Sequence, residues 1–170
     1  NNDSWKPSVA SLQESTSRLV AVTIDIDDTD DTDDTDTATL VLLHNHRCTD
    51  HVLLFDGHEV RKQATTGAAP SPRGLHAAVS LNNQLVVFGG AAQDGSMSNQ
   101  VFCLDLTTWI WKEIEIMTSD SSPSPRASPC LCALKDQKSC ILFGGAARSE
   151  ETGGLEGCSD LWILRFDDND

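Results

Sequence analysis

The residues best equipped for chemistry sit in "HNHRCTDH", where His44, His46, Cys48 and His51 fall within eight positions. Imidazole and thiolate are zinc ligands, and on an extended strand positions 44, 46 and 48 share one face. The spacing lacks the paired-ligand signature of zinc motifs, so the segment reads as a polar connection that holds the chain's candidate metal ligands. The acidic alternative is "DIDDTDDTDDTDTAT", with eight aspartates between Asp25 and Asp36 and no base. A calcium loop of the EF-hand kind needs a turn glycine and a closing glutamate, and both are missing. An acid-directed phosphorylation site fits no better, because the residue three after Thr29 or Thr32 is another threonine. The run reads as a low-complexity, self-repelling insertion. In "CLC", Cys130 and Cys132 point two thiols to one face of a strand, with Cys140 facing them from the next. They are read as buried small apolar residues. His76 has no nucleophile motif around it: the chain contains no Gly-x-Ser-x-Gly, no His-Glu-x-x-His and no Walker loop. Packing is its expected role. No catalytic residue and no cofactor is expected.

The elements that would hold these side chains are short. "HAAVSL" and "QLVVF" are apolar and β-branched, and Asn82-Asn83 between them signals a tight hairpin turn. "VFCLDL" is a third strand. "WKEIEI" alternates, with Trp111, Glu113 and Glu115 on one face and Lys112, Ile114 and Ile116 on the other. Upstream, "RLVAVTI", "ATLVLLH", "HVLLFD" and "EVRKQ" give four more strands, and no segment carries a helical period.

These strands recur. "PSPRGLHAAVSLNNQLVVFGG" (Pro70 to Gly90) and "PSPRASPCLCALKDQKSCILFGG" (Pro123 to Gly145) open and close on the same letters. Arg73 and Arg126 are 53 apart, Gly89 and Gly144 are 55 apart, and "SNQVFCLDL" then matches "CSDLWILRF". A period of roughly 50 with strand-like pieces suggests propeller blades rather than helical repeats.

The pattern resembles the kelch repeat. Its landmarks are Pro72-Arg73, His76, Phe88-Gly89-Gly90, Asn99, Val101, Leu104-Asp105 and Trp111, then Pro125-Arg126, Phe143-Gly144-Gly145, Asp160, Leu161, Trp162 and Leu164. The resemblance implies an all-β fold: consecutive four-stranded antiparallel blades of an incomplete kelch-type β-propeller. Residues 1–66 would form a degenerate blade carrying the acidic insertion at 25–37. Residues 67–118 would form a second blade, and 119–170 a third lacking its last strand. In the first blade His44-Asn45-His46 stands where the glycine pair should be, Asp56 corresponds to Asp105, and Trp5-Lys6 ends a preceding blade. Further blades are expected beyond this segment. The motif residues Arg73, Gly89, Gly90, Trp111, Arg126, Gly144, Gly145 and Trp162 then have scaffold duties. The glycines serve close approach or positive φ. The tryptophan fills the space between blades, and the arginine donates to loop backbone.

By the same resemblance the chain is a protein-interaction module, an adaptor or scaffold that grips other proteins through inter-strand loops. Ala91 to Ser98 and Ala146 to Gly157 are those loops, and Asp94, Arg148, Glu150, Glu151 and Glu156 offer their charges. The connectors around Pro70 and Pro123 are placed on the opposite face or the rim. A regulatory appendage of an enzyme and a calcium- or metal-tuned binder are the alternatives. Tyrosine-dependent propeller chemistry is absent from this segment, which contains no tyrosine.

The net charge of −14 owes much to the aspartate run, outside which 18 acids face 12 bases. A nucleic-acid binder needs a basic face, and none is legible. No apolar run is long enough to span a membrane. The six cysteines fit reduced thiols, and the expected compartment is the cytoplasm, with the nucleus as the second choice.

Overall fold

The computed structural model describes residues 20–25, 37–42, 51–56, 58–116 and 122–166. His44, His46, Cys48, most of the aspartate run and Trp5-Lys6 lie outside them. The first sheet is an antiparallel meander of β1 (Val20–Asp25), β2 (Thr37–Leu42), β3 (His51–Phe55) and β4 (Val60–Ala64). The short β5 (Thr66–Gly67) crosses to the second sheet. There β6 (Ala77–Leu81), β7 (Gln84–Phe88), β8 (Val101–Asp105) and β9 (Ile110–Ile114) form the next meander. Then come β10 (Arg126–Ala127), β11 (Cys130–Ala133), β12 (Ser139–Phe143), β13 (Ala146–Arg148), β14 (Leu155–Gly157) and β15 (Leu161–Arg165). The third sheet has the order β11-β12-β15, and β10, β13 and β14 make a small sheet of their own.

Local chemistry explains the hairpins. Asn82 and Asn83 take φ of 46° and 60°, so Leu81 pairs with Gln84 across a two-residue turn. Two positive φ values match the right-handed twist of the flanking strands. The turns that follow the third strands of the first two sheets use one device. An Asp56 carboxylate oxygen accepts from the amides of His58 and Glu59, and Asp105 accepts from Thr107 and Thr108. Asp136 does the same between β11 and β12, accepting from Lys138 and Ser139.

The sheets stack face to face, with their first strands side by side. β6 touches β1 on one side and β11 on the other. Between the first two sheets lies one core, in which Ile24, Val52 and Leu54 meet Leu85, Val87, Phe102, Leu104 and Trp111. Between the second and third lies another, where Val86, Phe88, Val101 and Cys103 meet Leu131, Leu142, Trp162 and Leu164. Alternation along each strand therefore serves two cores at once. Trp111 enters the first core while Ile114 and Ile116 pack on the second. This is the fanned stacking of propeller blades, and the ring is incomplete.

The third sheet corrects the reading of the cysteines. Cys130 and Cys132 are exposed, and only Cys140 of that group is buried. Cys132 pairs with Ile141 while Cys140 pairs with Ala133, so Cys140 lies on the opposite face from Cys130 and Cys132. On the outer face of this sheet Phe143, Leu161 and Ile163 are 51%, 58% and 49% exposed. The residues at the same places in the second sheet, Phe88, Val101 and Cys103, are buried. The sequence pattern is that of a covered sheet, and this sheet stands at the end of the stack.

Candidate functional site

The loop end of the sector is built from the two PSPR connectors and the segments after the glycine pairs. Gly89 and Gly90 hold φ of 68° and 99°, and Gly144 and Gly145 hold 67° and 90°. A Cβ on Gly90 would lie 2.8 Å from the carbonyl oxygen of Gly74, and one on Gly145 would lie 2.8 Å from that of Ala127. The close approach is what lets Gly74 bond Ala91 in both directions, at 2.9 and 2.8 Å. In the small sheet beside the third, β10 pairs with β13 in the same way. Each connector is thus stitched to the loop that follows its own glycine pair. Adjacent blades are stitched as well, since the Gly90 amide donates to the Arg126 carbonyl and the Arg126 amide to the Ser98 carbonyl. The connectors therefore share the end of the sector with the loops. Their expected place on the opposite face or rim is wrong, because backbone pairing draws them in.

Gly90→Ala is expected to cost about 2 kcal/mol, from positive-φ strain together with the clash against Gly74. Gly153 holds φ of 67° with nothing within 4 Å of a Cβ, so Gly153→Ala should cost only about 1 kcal/mol. Equal midpoints for the two variants in urea unfolding would contradict the close-approach argument.

Two arginines anchor this end, with different partners. Arg126, 1% exposed, donates through Nε to the Ser124 carbonyl and through Nη1 to the Gly144 carbonyl. Its two Nη groups grip Asp160 at 2.6 and 2.7 Å, and the Trp162 indole donates to the same carboxylate. The Arg126 hydrogen bonds, then the Trp162 indole, hold the Asp160 carboxyl well below the usual carboxylate range. Arg73 repeats half of this. Its Nε donates to the Ser71 carbonyl, and its Nη2 to the Ser71 hydroxyl and to Oε1 of Gln100. Gln100 stands where the third sheet has Asp160, directly before the third strand. The motif landmark Asn99, one residue earlier, donates its side-chain amide to the Pro123 carbonyl. Glu113 on β9 is linked to Arg73 indirectly, accepting from Nε2 of Gln100 at 2.7 Å. Burial pushes the Arg73 guanidinium below its ordinary range, and Glu113 pulls it the other way. Its carbon lies 5.6 Å from the Phe102 ring centroid.

The loop charges lie at the same end. Asp94, Arg148, Glu150, Glu151 and Glu156 are all exposed. Asp94 is held by the amide and hydroxyl of Ser96, and Arg148 donates to the Gly153 carbonyl. A Cβ on Gly95 would be 4.0 Å from the Arg148 guanidinium, so the loops of adjacent blades adjoin. Leu155, at the β14 side of its hairpin, is 66% exposed. Of the motif tryptophans, Trp111 is buried between the first two sheets, whereas Trp162 sits on a third strand at the place of Phe102. His76 is buried behind Gly90.

The candidate metal ligands His44, His46 and Cys48 lie outside the described residues. Among the described residues no group of three or more His, Cys, Asp or Glu is gathered. Burial pushes the Cys103 thiol up to about 12 and the Cys140 thiol up to about 11, which removes the reactive thiolate at neutral pH. Among the described residues no helix is long and apolar enough to cross a membrane.

Comparison with known proteins bears on this architecture. The family described as the KLHDC2/KLHL20/DRC7 Kelch-repeats domain matches residues 43–170. Kelch domain-containing protein 2 of Bos taurus is 30% identical over 129 residues, covering 75% of this chain and 30% of that protein. Host cell factor 1 of Homo sapiens is 30% identical over 117 residues, covering 61% of this chain and 6% of that protein. Dynein regulatory complex subunit 7 of Chlamydomonas reinhardtii is 36% identical over 97 residues, covering 56% and 8%. The chain thus spans less than a third of the length of these relatives. The solved structure of YjhT superposes with a TM-score of 0.58 at 19% identity, over 94% of this chain and 45% of that one.

Proposed function

The chain belongs to the kelch-repeat family, and from that premise we propose that it is a protein-interaction module whose partner-gripping surface is the loop end. The observation that carries this reading is the construction of that end. Rigid glycine pairs and buried arginines hold two adjoining loops, and those loops expose Asp94, Arg148, Glu150, Glu151, Glu156 and Leu155. A scaffold that fixes variable loops is the usual way a fold presents a binding surface. An exposed leucine among charges gives an apolar contact with a polar rim. The work is that of an adaptor or scaffold that recruits other proteins, rather than catalysis.

Glu150 and Glu151 reversed to lysine test the surface. Both side chains are exposed on the loop, so the fold should tolerate the change. Capture of partner proteins by the variant is expected to fall by about tenfold for those that use this end, as reversed charges oppose the original complementarity. Recovery of every partner at the wild-type level would remove these positions from the interface.

A further inference from the structure

The second and third sheets share a cavity beside β15. In the second sheet β9 pairs with β8, placing Trp111 opposite Leu104, and the indole packs between that sheet and the first. In the third sheet β15 is the edge strand among the described residues. β15 repeats β8, so Leu164 stands where Leu104 does and Trp162 where Phe102 does. A cavity of about 400 Å³ lies between Leu142, Trp162 and Leu164 of the third sheet and Val101, Ile114 and Ile116 of the second. It continues the core that these two sheets share. A fourth strand paired with β15 in the register of β9 would put its aromatic side chain there. Strand addition of this kind takes affinity from backbone hydrogen bonds and specificity from such a pocket.

The sequence carries such a strand outside the described residues. Trp5-Lys6 repeats Trp111-Lys112, and Trp5 precedes β1 by 15 residues much as Trp111 precedes β11 by 19. By this spacing Trp5 stands at the fourth-strand position of a blade before the first sheet. Pro7 after it suits an edge strand. The ends of the stack match as well. Phe143, Leu161 and Ile163 are exposed on the outer face of the third sheet. Ala21 and Thr23 are exposed on β1, opposite Val22 and Ile24, which face the second sheet. A ring takes roughly four to eight blades, so three stacked sheets cannot close one, whereas twice three can. We propose that a second copy of this chain docks on the third sheet. Its first sheet covers Phe143, Leu161 and Ile163, and its Trp5 strand pairs with β15, seating the indole in the cavity opposite Leu164. A two-fold axis makes the contact twice and closes the ring. The chain covers 45% of YjhT, so two copies match the length of one such fold.

Sedimentation velocity of the whole chain across the micromolar range tests this, with a discrete two-chain species as the expected result. Trp5→Ala and, separately, Ile163→Lys should each weaken the dimer at least tenfold, as a buried aromatic anchor and a charge set into an apolar face predict. Ile163 is 49% exposed, so its replacement leaves the single chain's core intact. A peptide of residues Asp3 to Ala10, blocked at both ends, should bind the Trp5→Ala chain in calorimetry. The same peptide with alanine at the tryptophan position should bind at least tenfold more weakly. A wild-type monomer at every concentration, or a dimer equally tight in Trp5→Ala or in Ile163→Lys, would overturn the proposal. Open-ended oligomers would overturn it too, because the contact would then not close. A monomer that loses melting temperature in Trp5→Ala would place the strand on its own chain and remove the second copy.

Discussion

Trp111→Ala is expected to lower the unfolding free energy by about 3–5 kcal/mol, the range for removing a fully buried large aromatic. The indole is 3% exposed and lies in the core that Ile24, Val52 and Leu54 share with Leu85, Val87, Phe102 and Leu104. It therefore joins two sheets, and no single sheet can close over the space it leaves. Its backbone is engaged as well: β5 pairs in parallel with Ile110 and Trp111, and the Ala68 amide donates to the Trp111 carbonyl. The linker between the first two sheets is thereby fixed at the same residue. Trp111→Phe keeps part of the apolar volume and should lose less. Ile110→Ala, at a position 42% exposed, should cost under about 1 kcal/mol. Urea unfolding at constant m-value measures all three. A loss below about 1 kcal/mol for Trp111→Ala would mean that the first two sheets do not share this core.

The strands were legible because each carries its own signal. "QLVVF" is apolar and β-branched, Asn82-Asn83 marks the turn before it, and the glycine pair marks its end. The repeat multiplied that signal and pointed to blades. The pairings of β5, β10, β13 and β14 were not legible. Segments of two or three residues have no periodicity, and their partners are chosen by where the larger sheets place them. The position of the connectors was missed for that reason. The cysteines were misread for another: Cys130 and Cys132 belong to a pattern that is buried in the second sheet, and only stacking order decides whether a sheet has a neighbour. The difference between the two arginines was visible in part. Asp160 and Gln100 both stand one residue before an apolar strand, and the match of "SNQVFCLDL" to "CSDLWILRF" sets them against each other, although Asn99 was the residue named as a motif landmark.

The Arg126–Asp160 pair should dominate the acid response of the loop end. Asp160→Ala is expected to cost about 3 kcal/mol at neutral pH. That is the low end for breaking a buried pair, because the Asp160 side chain is 40% exposed and water screens it. The cost falls on the partner left behind, since Arg126 is 1% exposed and keeps its charge. Arg126→Met should cost less, because the carboxylate it abandons reaches water. The sign of the pH dependence follows from the depressed carboxyl. The folded protein holds Asp160 ionised at pH values where the unfolded chain has already taken up its proton. The pair's contribution is fully present above about pH 4, the ordinary aspartate range, and is lost as the pH falls below it toward the folded value. Asp56, Asp94, Asp105 and Asp136 are lowered too, by hydrogen bonds within their turns, so acid weakens wild type and variant alike. The decisive quantity is therefore the gap between wild type and Asp160→Ala. It should be widest from pH 5 to 7 and should narrow steadily toward pH 2. A gap that stays constant across that window would show that the salt bridge contributes nothing through its charge, and that the carboxylate acts only by filling space beside Arg126.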